Sequence, residues 1–369
     1  MNTDVVNGNR QRIESFDWLK FFGALAIVIG HYSALFPNGN QVPIFQDGLF
    51  GVIARYGGGA VALFLQISGY TTMSGYYSQT GQRGIKSYLL PKILRLWPLH
   101  FSTMLFCFVL QQIRMVCGLE YYIYQANSLT DVIVGSFFGG HLVTPELSLN
   151  GPAWTMSVTF FCYIAFWVVM KLDDKVNHNY VFAGLAIFFT YDLYMVLSGL
   201  GSGFPYIVDS VQYAASFFIG CLMFEIYRKA SDNMKLKNTL NKVCVCIILG
   251  LILLFLFDNE KMKLFGVDGF EIFCIYIFVP LLIYLFGGVK INAFFAKIPP
   301  KFRIASKLFF PMYLIHFPLM LLIRTLEEMK IIYVDYSTLS FFVAWLVIVL
   351  VSAGIVAFLE KKRKTRWGR

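Results

Sequence analysis

Apolar runs of about 17 to 22 residues, separated by short polar loops, recur along the whole chain; that is the length an α-helix needs to cross roughly 30 Å of hydrocarbon. The pattern predicts ten membrane-spanning helices, over residues 19–36, 49–73, 97–115, 151–170, 180–199, 207–227, 241–257, 269–287, 308–325 and 339–359. The stretch 130–140 is apolar but short and ends in glycine, so it reads as an interfacial or re-entrant piece. No fixed-period repeat or low-complexity linker interrupts the series, and the longest loop, 116–150, is itself rich in aromatics. The expected fold is an all-α polytopic membrane helix bundle, one domain over residues 1–369 with no appended soluble domain.

Composition agrees with the pattern. Hydrophobic residues make up 57% of the 369 and charged residues only 14%, with a mean hydropathy of +0.63. Water-soluble domains carry about 25% charged residues, so a soluble globule is excluded. Most of the 31 Lys and Arg fall in the segments that are cytoplasmic if the N-terminus lies inside. These include Arg10, Arg12, Lys20, Arg83, Lys92, Arg95, Lys301 and the basic tail KKRKTRWGR. Arg114, Lys261, Lys263, Arg324 and Lys330 fall toward the other side, and Arg55 inside a span. This bias satisfies the positive-inside rule with both termini cytoplasmic. The net charge of +10 follows from it and calls for no nucleic-acid partner; the tail is explained by contact with anionic lipid. The first span keeps a lysine in its apolar start and lacks a small-residue cleavage site, so it reads as a retained helix. Seven cysteines without C-x-x-C spacing and five histidines without ligand spacing indicate neither a disulfide framework nor a metal site.

Chemistry concentrates in five places. In FDWLKFFGALAIVIGHY, Lys20 and His31 are eleven residues apart. That is about 1100° of helical rotation and about 16 Å of rise, which places a cation and an imidazole on one side of the first span. A basic group at that depth normally faces a protein interior or a wet cavity. In SYLLPKILRLWPLHF, a loop and helix start, Lys92 and Arg95 share a helix face and suit a phosphate-bearing molecule from the cytosol, or serve as ordinary inner-face anchors. In GGGAVALFLQISGY, the glycines around Gly58 allow either close helix packing or substrate contact; Ser68 follows, and Arg55 lies just before. In NGPAWTMSVTFFCY, Trp154 and Thr159 line a span start, where a hydroxyl more often bonds back to its own helix. In FPMYLIHFPL, a lone His316 reads first as a structural histidine.

Taken in order, these five segments resemble the acyltransferase 3 family of bacterial integral-membrane O-acyltransferases. The resemblance implies about ten core helices in a bacterial inner membrane. It implies an acyl group, most commonly acetyl, taken from cytosolic acyl-CoA as co-substrate and delivered to a cell-surface or lipid-linked carbohydrate, with no bound cofactor. Carried over by position, it makes Lys20 and His31 the basic-x10-His motif, with His31 catalytic. It makes Lys92 and Arg95 the acyl-donor motif; from the reading of the segments themselves, Arg55, Gly58, Ser68, Trp154 and Thr159 are expected to join them in binding substrate. Thr159 stands where the family's usual acid falls and Ala62 where an aspartate is frequent. The resemblance therefore leaves His31 without its acid, and a backbone carbonyl or a hydroxyl is expected to set its tautomer; Glu14 and Asp17 are the nearby carboxylates. A flippase of a glycan intermediate, or a degenerate family member acting as an assembly subunit, are the rival functions.

Overall fold

The computed structural model describes residues 13–36, 38–77, 84–122, 128–140, 142, 149–173, 175–201, 211–257, 263–264, 267–268, 270–299 and 302–367. Arg10, Arg12, Arg83, Lys261, Lys301 and Arg369 lie outside these, as does the start of the 207–227 span.

Among the described residues the ten apolar stretches are mostly helical, 49–73 and 269–287 each in more than one piece. In chain order the helices are α1 (Glu14–Leu35), α2 (Gly48–Tyr56), α3 (Ala60–Tyr77), α4 (Ile85–Val116), α5 (Leu129–Ser136), α6 (Trp154–Val169) and α7 (His178–Leu197). They continue as α8 (Ala214–Ser231), α9 (Met234–Phe257), α10 (Phe270–Phe273), α11 (Val279–Phe286), α12 (Val289–Ala296), α13 (Phe309–Glu328) and α14 (Thr338–Trp367). A two-residue hairpin pairs Lys263–Leu264 with Val267–Asp268.

Among the described residues seven helices are long and apolar enough to cross a membrane, α2 and α3 counting as one; the bent pair Cys274–Phe286 and Val289–Ala296, at 67°, makes an eighth. α8 carries Glu225, Arg228 and Lys229 within its 18 residues. α5, with 8 residues, spans only about 12 Å and does not cross, as the sequence implies.

Three predicted boundaries need correction. Lys92 and Arg95 do not sit at a loop and helix start: α4 begins at Ile85 and runs 32 residues through Pro91 and Pro98. In a bilayer the backbone has no water to turn to, so a helix carries on through proline rather than unravel. The 49–73 span is instead two helices joined by a 3-10 turn at Gly57–Gly59. The basic tail begins as helix, since α14 runs on to Trp367.

The chain forms two compact groups. One comprises Asp17–Ala60, Leu96–Trp154 and Ile298–Arg369. Within it α13 packs on α14, and the C-terminal end of α5 hangs from α4: Trp97 Nε1 donates to the Ser136 carbonyl (2.8 Å), and His100 Nε2 lies 2.9 Å from the Gly135 carbonyl. These contacts satisfy carbonyls that a short helix leaves open. The other group comprises Met1–Phe16, Val61–Arg95 and Thr155–Lys297. There α3 meets α8 through glycines: a Cβ on Gly69 would strike the Phe217 carbonyl, and one on Gly220 the Gln66 carbonyl. Gln66, fully buried, gives its amide to the carbonyl of Ile275 (2.6 Å), inside a π-helical turn at Cys274–Phe278.

α14 shows what surrounds the bundle. Phe341, Ala344 and Ile348 are buried on one side, while Leu339, Val343, Leu346 and Leu350 are exposed on the other. An apolar face of this extent is unsuited to water and suited to lipid.

Candidate active site

The α1 sequence supplies a helix with few polar groups, and its seat on α2 is set by small residues. A Cβ on Gly57 would meet the Ala26 carbonyl, while Gly30 lies within ordinary contact of Ala54 and Gly57. This brings α1 against the triple-glycine turn one residue before His31. Gly58 itself is exposed, with open space where its side chain would be.

Both expected residues of α1 meet α13. Lys20 pairs with Asp17 at 2.7 Å and rests its ammonium over the Phe309 ring, 4.4 Å from the centroid. Asp17 therefore serves Lys20. Two turns further along α13, His316 meets His31 edge to edge, with ring centroids 5.0 Å apart and planes at 19°. His31 Nδ1 is 2.7 Å from His316 Nε2, and His316 Nδ1 is 3.0 Å from the Met312 carbonyl. His316 is fully buried and His31 half-buried. The partner of the His31 imidazole is thus a second imidazole, where the sequence suggested a carbonyl or hydroxyl.

The surroundings of His316 are built by proline and asparagine. Pro318 has no N–H for the carbonyl of Leu314, and Asn150 Nδ2 donates to that carbonyl at 2.8 Å and to Thr103 Oγ1 at 3.0 Å. Tyr313 donates to the Pro152 carbonyl at 2.7 Å. Trp154 begins α6 next to this turn, half-buried. Arg55 is exposed in the last turn of α2.

The ends of α1, α4 and α13 are tied together further along. Tyr122 OH donates to the Leu35 carbonyl, while the Tyr122 main chain exchanges two 3.0 Å hydrogen bonds with the Gln111 amide. Arg114, almost fully buried, donates to Glu328 (2.5 Å), to Thr325 Oγ1 (3.2 Å) and to the Glu120 carbonyl (3.0 Å). Arg324 pairs with Glu327 and Glu328, each at 2.7 Å. Tyr336, in the loop after α13, donates to Glu327 at 3.0 Å, and burial together with that carboxylate pushes its phenol well up.

In the other group the expected donor residues meet an aromatic that sequence reasoning passed over. The half-buried Lys92 places its ammonium 3.8 Å from the centre of the Tyr163 ring and 4.9 Å from that of Tyr88. Ser68 Oγ hydrogen-bonds Tyr163 OH at 2.9 Å, which orients the ring beneath the cation. Arg95 is exposed one turn along α4. Thr159 gives its hydroxyl to the Thr155 carbonyl at 2.7 Å, the back-bond usual for a hydroxyl in a membrane helix.

Fold and site together define a class: a multi-pass helical membrane protein with a histidine pair inside its helices. The match with the acyltransferase domain family, acyltransferase 3, covers residues 13–359, and the chain belongs to that family. Comparisons with curated proteins and with solved structures find no match.

Proposed function

We propose that the protein is a membrane O-acyltransferase that moves a short acyl group, acetyl first among them, from cytosolic acyl-CoA to a hydroxyl of a cell-surface or lipid-linked carbohydrate. The observation that carries this reading is the His31 ring, half-buried in a span of an acyltransferase-family chain and held through one nitrogen by His316. An imidazole suits proton transfer near neutral pH. Lys92, flanked by Arg95, offers positive charge to the phosphates of the donor.

In the reaction the acceptor hydroxyl gives its proton to His31 as its oxygen adds to the thioester carbonyl. The carbon–sulfur bond then breaks, and the proton passes from His31 to the leaving thiolate. Thioester and alcohol become ester and thiol, with no other reactant. Attack by His31 itself, through a transient acyl-imidazole, gives the same products.

Mass spectrometry of surface glycans from cells with the protein, without it, and with His31→Ala tests this. The expected result is a mass difference of one acyl group, lost in His31→Ala at an unchanged protein level. Glycans of identical mass in all three would refute the reading, and acceptor translocation without acylation would favour the flippase.

A further inference from the structure

We infer that His316 is a positioning residue that fixes the tautomer of His31 and so selects Nε2 as its reacting nitrogen, through a relay that starts at a main-chain carbonyl instead of a carboxylate. This rests on the acyltransferase reading for its consequence, though not for its geometry.

The relay follows from what each atom is able to do. The Met312 carbonyl oxygen only accepts, so the 3.0 Å contact places a proton on His316 Nδ1. A neutral imidazole has one N–H, which leaves His316 Nε2 a bare lone pair. The 2.7 Å contact with His31 then places the proton of that ring on its Nδ1. His31 Nε2 is left with a bare lone pair, and among the described residues the ring's one hydrogen bond is that through Nδ1. Every step has one direction, because a carbonyl at its origin admits no other.

Two features keep the relay in register. His316 follows Met312 by one helical turn and is fully buried, so its ring has few alternatives to the carbonyl. The freed Leu314 carbonyl, which would otherwise compete for donors beside the ring, is occupied by Asn150. Neither ring makes a recorded contact with a carboxylate among the described residues. When His31 takes the acceptor's proton on Nε2, its Nδ1–H donates more strongly to His316, which shares the new charge without itself taking a proton. Thr159, standing where an acid is usual, is then no defect, since the orienting role is filled from α13.

The test is nitrogen-15 NMR of histidine-labelled full-length protein in lipid nanodiscs without substrate, with His31→Gln used to assign the His31 signal. The wild type is expected to show His31 protonated at Nδ1 and bare at Nε2. His316→Phe removes the acceptor and should shift His31 toward the Nε2–H form favoured in water. His316→Gln, whose carbonyl oxygen can take the same proton, should keep the wild-type tautomer. In acyl-transfer assays kcat should fall about 100-fold in His316→Phe and recover largely in His316→Gln, with KM for donor and acceptor unchanged. A wild-type His31 protonated at Nε2 overturns the relay, as does a His316→Phe variant that keeps both tautomer and kcat. If His316→Phe does not fold, the wild-type spectrum decides alone. Absence of acyl transfer from the wild type would refute the proposed function while the NMR result still judged the relay.

Discussion

His31 and His316 are 285 residues apart in sequence and 2.7 Å apart in space. The chain announces the first, because an imidazole eleven residues from a lysine in an apolar run is conspicuous. It hides their pairing, because a single histidine in a membrane helix carries no mark of its mate. Tyr163 was hidden for the same reason: it sits inside a quoted motif, but its role depends on Lys92 and Ser68 arriving from two other helices. At this scale the donor prediction is specific. Lys92→Met keeps the apolar stem and removes one charge-assisted phosphate contact of about 1.5 kcal/mol. That is roughly a tenfold rise in donor KM with kcat nearly unchanged, read by steady-state kinetics in membranes. Tyr163→Leu, which strips the ring from under the ammonium, should raise the same KM. An equal fall in kcat with KM unmoved would place Lys92 in the chemistry instead.

Among elements, the sequence located the helices well and their breaks poorly. Apolar length is a strong signal, so the described residues of the ten stretches are mostly helical, with breaks inside 49–73 and 269–287. Proline and glycine misled, because inside a membrane Pro91 and Pro98 do not stop α4 while Gly57–Gly59 tighten into a 3-10 turn. The glycines of that turn differ in use, which neighbouring substitutions will separate. Gly57→Ala drives a methyl into the Ala26 carbonyl and should cost about 1–3 kcal/mol by overpacking. Gly58→Ala meets nothing within 4 Å and should leave thermal stability in detergent within about 0.5 kcal/mol of wild type. Equal stability for the two would mean that α1 does not rest on this turn. Arg114 ties α4 to α13 beyond the histidine pair. Arg114→Met leaves Thr325 Oγ1 without its donor and Glu328 with Arg324 as its remaining guanidinium, and should destabilise by about 2–3 kcal/mol, seen as a lower melting temperature.

For the molecule as a whole, the contacts of α1 with α13 bear on topology. Lys20 meets Phe309 and His31 meets His316, so the two helices run the same way. Parallel neighbours require an odd number of crossings between them. The spans α2–α3, α4, α6 and α7 supply an even number, so an odd number must come from α8, α9 and the bent pair after Cys274. If all three cross, the total is ten; with the N-terminus cytoplasmic, as the charge bias predicts, Cys117, exposed just after α4, would face the outside. A membrane-impermeant maleimide should then label intact cells or spheroplasts, and Cys117→Ser should abolish that signal. Labelling of Cys117 only after permeabilisation would invert the orientation. The most direct measurement of the central claim uses purified protein in lipid vesicles, with acetyl-CoA and a glycan extract from the same cells. Free thiol should appear in step with acylated glycan, and neither should appear with His31→Ala. Undiminished thiol release and glycan acylation by that variant would contradict catalysis through this imidazole.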